Sequence, residues 1–391
     1  EARALPQRGL ESNVKFDHIS REEGLSQSSV LCITQDSLGY MWFCTDDGLN
    51  RYDGYEFTVY RNDPDDPDSL GQGEVVWIHE DQEGMLWIWK YLGSLDRYDR
   101  DTGRFAHYDL SDPLDPQSAS SDGGWVLYED PGGTVWAGTY RSGLYRYDRE
   151  ADQFVRYRHD PEDPESLSSD RVYAIYEDRE GTLWVGTLGG LNRFDRESGR
   201  FTHYQHDAED PRTVGSDIVQ LIHEDRAGRL WVTTFGVGLE QIDRETGKVI
   251  ARYQHDPGDQ ESIDDTTAIK ELYEDRLGRL WLIHFDGRLD EFDPETGVFK
   301  RHRHNPDDTS SVRGSLSDNE VMFVAEDGAG NLWVGTAGGL DRYDRETGQF
   351  VHSRHDPSDP QSLSGNVVST FYEDQSAVIW IGTYGNGLNL Y

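Results

Sequence analysis

The chain is poor in cysteine and in lysine, with two Cys and five Lys among 391 residues. Two Cys cannot build a disulfide framework or a four-cysteine zinc site. No apolar run reaches the roughly 20 residues that a membrane-spanning helix needs. The opening EARALPQRGLESN lacks a secretory leader pattern and fits the kind of stretch that follows a removed one. Positive charge is scarce as well: 75 Asp and Glu stand against 37 Lys and Arg, for a formal net charge of −38. Such a field repels phosphate backbones, so nucleic acid and anionic membrane are poor partners. The acid is spread along the chain rather than gathered in a tail, and 12% of residues are aromatic, a composition that favours a folded protein over a disordered one. The five lysines are Lys15, Lys90, Lys248, Lys270 and Lys300. An acidic, Arg-rich and Lys-poor surface fits a salty habitat or, equally, a GC-rich genome.

Also missing is any convincing 3.6-residue apolar period bounded by caps, which leaves little room for helix. What the chain has instead is repetition. EDREGTLWVGTLGGLNRFD (177–195) returns as EDGAGNLWVGTAGGLDRYD (326–344) and as EDPGGTVWAGTYRSGLYRYD (129–148). The anchoring tryptophans are Trp42, Trp87, Trp136, Trp184, Trp231, Trp281, Trp333 and Trp380, spaced by 45, 49, 48, 47, 50, 52 and 47 residues. That spacing suits a propeller blade and is too long for most leucine-rich or ankyrin units.

Within one repeat, RVYAIYED (171–178), TLWVGT (182–187), LNRFD (191–195) and FTHYQHD (201–207) read as strands A to D, with Gly181 in a tight first turn. Four antiparallel strands repeated radially make an all-β propeller, here one domain over 1–391. The segment VKFDHI (14–19) resembles a lone strand D, while the last repeat (367–391) carries only A, B and C. Joining them closes an eight-bladed ring and hides the sheet edges; seven blades plus a partial repeat is the alternative. The recurring Trp, Gly and Asp then belong to the framework: inter-blade packing, turns and turn-amide bonding.

The segments GLSQSSVLCITQDSLGYMWFCTDDGLNRYDGYEF (24–57), SLSSDRVYAIYEDREGTLWVGTLGGLNRFD (166–195) and SLSGNVVSTFYEDQSAVIWIGTYGNGLNLY (362–391) resemble the repeat of the two-component-regulator propeller family. The resemblance implies an extracytoplasmic sensor propeller of hybrid histidine kinases, periplasmic or secreted in a bacterium. It also implies carbohydrate as a frequent ligand class, with signalling domains that are absent from this chain.

In a propeller, function sits where the repeats disagree, on the face formed by the B–C and D–A loops. Against the common LWVGT, blade 2 places Trp89, Lys90 and Tyr91, blade 6 places His284, Phe285 and Asp286, and blade 3 places Tyr140 and Arg141. Phe235, Tyr384 and Asn386 deviate in blades 5 and 8. Five residues before the repeated Asp, strand A reads Leu31, Val76, Trp125, Tyr173, Gln220, Lys270, Met322 and Ser369, variable as a channel lining would be. The three tryptophans outside the anchor set are Trp77, Trp89 and Trp125. Trp77 falls opposite Trp89 by hairpin arithmetic and reads as packing, whereas Trp89 and Trp125 divide between packing and stacking on a ligand. The same arithmetic sets Cys32 opposite Cys44, either as a cross-strand disulfide or as two small packed thiols.

The expected ligand site is therefore Trp89, Lys90, Tyr91, Trp125, Tyr140, Arg141, Tyr173, Lys270, His284 and Phe285, receiving a small molecule or oligosaccharide without catalysis. A carbohydrate-active lyase or glycoside hydrolase at the same mouth is the runner-up, and a protein-interaction scaffold a third reading. No cofactor is expected. Ca²⁺ in Asp-rich loops such as DPDDPDS (63–69) is weaker than a reading of capped turns, and the once-per-blade His residues are too dispersed for a metal site.

Overall fold

Both faces of strand B are buried between neighbouring blades, the outer strand D is partly exposed, and the short turns close four-stranded meanders. In the computed structural model, residues 14–91, 94–112, 124–264, 268–308 and 313–391 are described. Strand A of blades 1 to 8 is Val30–Gln35, Val75–Glu80, Gly124–Glu129, Val172–Glu177, Val219–Glu224, Ile269–Glu274, Val321–Glu326 and Val368–Glu373. Strand B is Met41–Thr45, Leu86–Lys90, Val135–Thr139, Leu183–Thr187, Leu230–Thr234, Leu280–His284, Leu332–Thr336 and Ile379–Thr383. Strand C is Gly48–Tyr52, Ser94–Asp99, Leu144–Asp148, Gly190–Asp195, Gly238–Asp243, Leu289–Asp293, Gly339–Asp344 and Leu388–Leu390. Strand D is Phe57–Tyr60, Arg104–Asp109, Gln153–Tyr157, Arg200–Tyr204, Lys248–Gln254, Val298–His302 and Gln349–Ser353 in blades 1 to 7.

Blade 8 takes its strand D from the other end of the chain. Asp17–Ile19 pairs antiparallel with Leu388–Leu390, so the eighth sheet is built from both termini as expected. Strands A of blades 1 and 8 are in contact, which closes the ring. Blade 7 has a fifth, two-residue strand, Arg313–Gly314, laid along its outer edge. The one helical element among the described residues is a 3-10 turn at Arg21–Glu23, capped by Ser20.

Each blade is locked by the same buried bond. The indole Nε1 of every anchor Trp donates to the carboxylate that follows strand A: Trp42 to Asp36 at 2.7 Å, Trp184 to Asp178 at 2.9 Å and Trp380 to Asp374 at 2.8 Å, with the other five blades alike. The second carboxylate oxygen accepts turn amides, as Asp178 does from Glu180 and Thr182 at 3.0 Å. Gly181 makes that turn at φ +83. The Trp ring meanwhile packs into the next blade, Trp184 against Val219, Ile222 and Leu230. Close approach there explains the Gly of LWVGT: a Cβ on Gly186 would lie 2.8 Å from the Val219 carbonyl oxygen.

In five blades an arginine from the next blade closes the lock from outside. Arg196 reaches Asp130 at 2.8 Å, Arg149 reaches Asp81 at 3.1 Å and Arg345 reaches Asp275 at 2.6 Å. Blade 6 has Pro294 where the arginine should stand, and Arg229 of blade 5 supplies the charge to its own Asp225 at 2.6 Å. A glutamate at the end of strand A adds a second joint by accepting the backbone N–H after the Asp of the preceding blade, as Glu224 does from Arg179 at 2.7 Å. At the closing joint Gln35 takes this role, accepting from Gln375 at 2.8 Å.

In blade 1, Cys32 and Cys44 pair across strands A and B and form a disulfide. Removing it by Cys32→Ser and Cys44→Ser is expected to lower unfolding free energy by about 3 kcal/mol on the loop-closure estimate. Chemical denaturation with and without reductant measures this, and an unchanged midpoint would refute it.

Asp225 gives a second test. Burial alone would raise its carboxyl pKa, but the Trp231 indole, the Arg229 amide and the Arg229 guanidinium outweigh burial and hold it below the ordinary value. A depressed folded-state pKa stabilises the fold above the unfolded value of about 3.9, and that contribution is lost as pH falls through the folded value. The melting temperature of Asp225→Asn is therefore expected to fall less steeply than that of the wild type from about pH 5 to about pH 2; parallel slopes would assign acid unfolding to other carboxylates.

Candidate functional site

The mouth is built where strand B ends and strand A begins. The residue after strand B hydrogen-bonds through its backbone N–H to the carbonyl just before strand A: Tyr91 to Glu74 at 2.8 Å, Phe235 to Ile218 at 2.9 Å, Phe285 to Ala268 at 2.9 Å and Tyr384 to Val367 at 3.0 Å. These side chains have left the inter-blade sandwich and turn outward. Tyr91 is 62% exposed, Phe285 56%, Phe235 50% and Tyr384 46%. Tyr140 occupies the same position in blade 3 and is half-buried, so five of the eight blades carry an aromatic residue there.

The variable column of strand A has a structural cause. In all eight blades the A–B register shifts at this residue, a β-bulge in which residues 31, 76, 125, 173, 220, 270, 322 and 369 are the extra ones. A bulged residue is released from the ladder and its side chain re-aimed, so its identity is free to vary. Lys270 is exposed, and Tyr173 and Gln220 are half-buried. The side chain of Trp125 lies outside the described residues.

Tyr140 and Tyr173 come together through a residue that sequence reasoning missed. The Arg171 guanidinium lies 4.4 Å from the Tyr140 ring centroid. Burial and the neighbouring Tyr140 raise the Tyr173 phenol, while a hydrogen bond to Arg171 opposes them. Arg141 is half-buried at the same joint. The far side of the mouth is acidic. Asp46 hydrogen-bonds Glu74 and raises its carboxyl pKa, with burial acting in the same direction. Tyr384 is raised by burial and then by Asp46, Glu74 and Glu320.

Three expected ligand residues lie instead inside the blade walls. Trp89 is 3% exposed and packs with Leu95, Leu110, Ala137 and Tyr145 across the joint to blade 3. It replaces the small residue of LWVGT, and Gly124 stands where the strand A of other blades opens with Val or Ile. Trp77 does fall opposite it in register. Lys90 and His284 end strand B, where the other blades have Thr. In blade 4 that Thr187 hydroxyl shares a 2.8 Å bond with Ser168, and Asn192 binds the Ser168 amide at 3.0 Å. The same tie runs from strand C to the D–A loop in seven blades; the corresponding loop of blade 3 lies outside the described residues.

Blade 2 rebuilds this trio as Gly71, Lys90 and Asp96. Lys90 Nζ lies 2.7 Å from Asp96 in full burial and fills the space that a Cβ on Gly71 would need. Burial pushes the Lys90 pKa down, and the Asp96 carboxylate pushes back. Blade 6 rebuilds it with His284 3.1 Å from Asp290 and Arg303 2.9 Å from Asp290. Repeat deviation therefore marks two different things: outward-facing change one residue past strand B, and wall repacking at its last residue.

Among the described residues, no group of three or more His, Cys, Asp or Glu is placed to hold a metal ion. In the 63–69 loop, Asp63 and Asp66 accept the amides of Asp65 and Asp68 at 3.0 Å, as capped turns do. A cleft on the opposite face, lined by Ser37, Glu80, Asp81 and Glu129, is made of joint residues. No helix among the described residues is long and apolar enough to cross a membrane.

Blade 2 offers a direct test of wall repacking. Lys90→Thr leaves the buried Asp96 carboxylate with only the His107 ring at 2.7 Å and the Gly71 amide at 2.8 Å, and is expected to cost about 3 kcal/mol. Adding Gly71→Ser and Asp96→Asn restores the common trio and is expected to recover most of that loss by thermal or denaturant unfolding. A triple variant as unstable as the single one would overturn this assignment.

Known proteins resemble the chain in its repeat and in its fold. The family described as Two component regulator propeller matches residues 24–47, 166–189 and 315–338. A relative, Histidine kinase P4 of Formosa agariphila, is 45% identical over 67 residues, which is 17% of this chain and 5% of the kinase. Among solved structures, the extracellular domain of a hybrid two-component system of B. thetaiotaomicron has a TM-score of 0.55 at 23% identity, covering 96% of this chain and 41% of that one. A catalytically inactive virginiamycin B lyase from Staphylococcus aureus, solved with quinupristin, has a TM-score of 0.52 at 13% identity, covering 80% and 92%. These structures share the fold.

Proposed function

We propose that this chain, built from two-component regulator propeller repeats, is the extracytoplasmic sensing propeller of a hybrid two-component regulator and recognises a carbohydrate at its B–C/D–A mouth without catalysis. The observation that carries the reading is the set of outward aromatics one residue past strand B, Tyr91, Phe235, Phe285 and Tyr384, held by backbone bonds beside polar groups. Sugar rings offer C–H faces for stacking and hydroxyls for hydrogen bonding, and such a rim suits both. The kinase relative and the shared extracellular fold support a sensing role. The Cys32–Cys44 disulfide fits an oxidising compartment.

The enzyme reading is less favoured because Lys90 and His284, side chains of a type that could act as bases, are fully buried in ion-paired walls. The scaffold reading is less favoured because the aromatics are spread over separate blades and do not form one apolar patch.

Isothermal titration against neutral and acidic oligosaccharides tests the proposal, with Phe285→Ala and Tyr384→Ala as variants. Each is expected to weaken binding roughly tenfold, the worth of one stacked aromatic, and the sugar is expected to be recovered intact by mass spectrometry. Cleaved sugar, or affinities that ignore both substitutions, would refute the reading.

A further inference from the structure

Most cations of this chain are already engaged. Arg149, Arg196, Arg244 and Arg345 serve the blade joints, and Lys90 is paired with Asp96. Others, such as Arg51, Arg342 and Lys300, lie over aromatic rings without a salt bridge to a described residue, and two further cations without such a bridge stand on the mouth side of strand A. Arg171 makes no salt bridge with a described residue; its partners are the Tyr140 ring face at 4.4 Å and the Tyr173 side chain. Lys270 is exposed at the bulge of blade 6 and likewise makes no salt bridge with a described residue, although Glu271 is its neighbour.

Between them, the bulge of blade 5 presents Gln220, whose buried Oε1 has no hydrogen-bond partner among the described residues. Three consecutive blades thus offer a stacked guanidinium, an unmet amide oxygen and an ammonium, with Phe235 and Phe285 on the adjoining loops. A guanidinium held flat on an aromatic ring keeps its N–H edge for an oxyanion. Across the ring, Glu320, Asp46 and Glu74 surround Tyr384 and would repel the same group. On the cation-bearing arc, Asp286 is paired with Arg288 at 2.6 Å and Glu271 is buried with its carboxyl pKa raised, so that arc is the less negative side of the mouth.

We infer that the arc of blades 4 to 6 receives an anionic substituent, a carboxylate or a sulfate, of the bound oligosaccharide, with Arg171 and Lys270 as its two cations. This rests on the carbohydrate reading and adds a charge to it. The acidic sector at blades 7, 1 and 2 then takes the hydroxyl-bearing end, so one orientation is favoured.

The experiment is titration of the full chain with matched pairs of probes. One pair is an oligogalacturonate and its carboxyl-reduced form; the other is a sulfated galactan oligosaccharide and its desulfated form. At least one anionic probe is expected to bind at least about tenfold more tightly than its neutral partner, the worth of a charge-assisted hydrogen bond. Which pair discriminates identifies the oxyanion. Arg171→Gln and Lys270→Gln are each expected to reduce that ratio at least about threefold, by weakening the anionic probe more than its neutral partner. Neutral partners that bind as tightly as the anionic probes, or variants that keep the full ratio, would overturn the inference but leave the carbohydrate reading standing. Failure of all four probes to bind would overturn both.

Discussion

One buried hydrogen bond recurs at the centre of every blade, from the strand B indole to the carboxylate that closes strand A. It joins two requirements that would otherwise compete. The indole must be buried to fill the space between blades, and its N–H must then find an acceptor. The carboxylate must be buried to organise the A–B turn, and its charge must then find donors and a counter-ion. Each group supplies what the other lacks, and in five blades the arginine from the next blade completes the charge balance. Because that arginine belongs to a neighbour, the local turn and the ring are stabilised together. Where the pattern breaks at Pro294, Arg229 delivers the same charge from the opposite side of the joint, whereas Asp327 and Asp374 make no salt bridge with a described residue and are held by N–H donors.

The same architecture explains where ligand chemistry can sit. Blade walls are covered on both faces, so a side chain inside a strand is held by packing whatever its type. Freedom begins where the ladder ends, one residue past strand B, and where it is interrupted, at the bulge of strand A. These two positions bring aromatics and polar groups to one face from separate blades. A rim assembled in this way can vary one blade at a time without disturbing the ring, which suits recognition better than a catalytic arrangement that needs several groups fixed against each other.

Much of the fold was legible in the sequence, because a repeat prints each structural requirement eight times. Trp, Gly and Asp columns, turn residues and the strand D-like start could be read directly, and closure by residues 14–19 followed from the short last repeat. Cys32 and Cys44 were also legible as a pair, since hairpin register fixes which residues face each other. The site was less legible. Tyr91, Phe285 and Lys270 lie at the mouth, but Trp89, Lys90 and His284 deviate just as strongly and serve the walls. Arg171 was missed because it precedes strand A, a position that no framework motif marks.

The sequence by itself determined the strand pattern, the repeat length, the turn chemistry and the strand order, because these depend on local geometry and on periodicity along the chain. Only the tertiary structure decided which deviations face solvent and which are sealed in the blade walls. Lys90 and Tyr91 are adjacent in sequence and equally unlike the repeat, yet one is sealed beside Asp96 and the other stands in solvent. The difference lies in where the strand ends relative to the neighbouring blade, and in whether a partner elsewhere, Gly71 and Asp96 for Lys90, has changed to receive it. Such compensation acts through space between residues far apart in the chain, and a single repeat unit does not contain it.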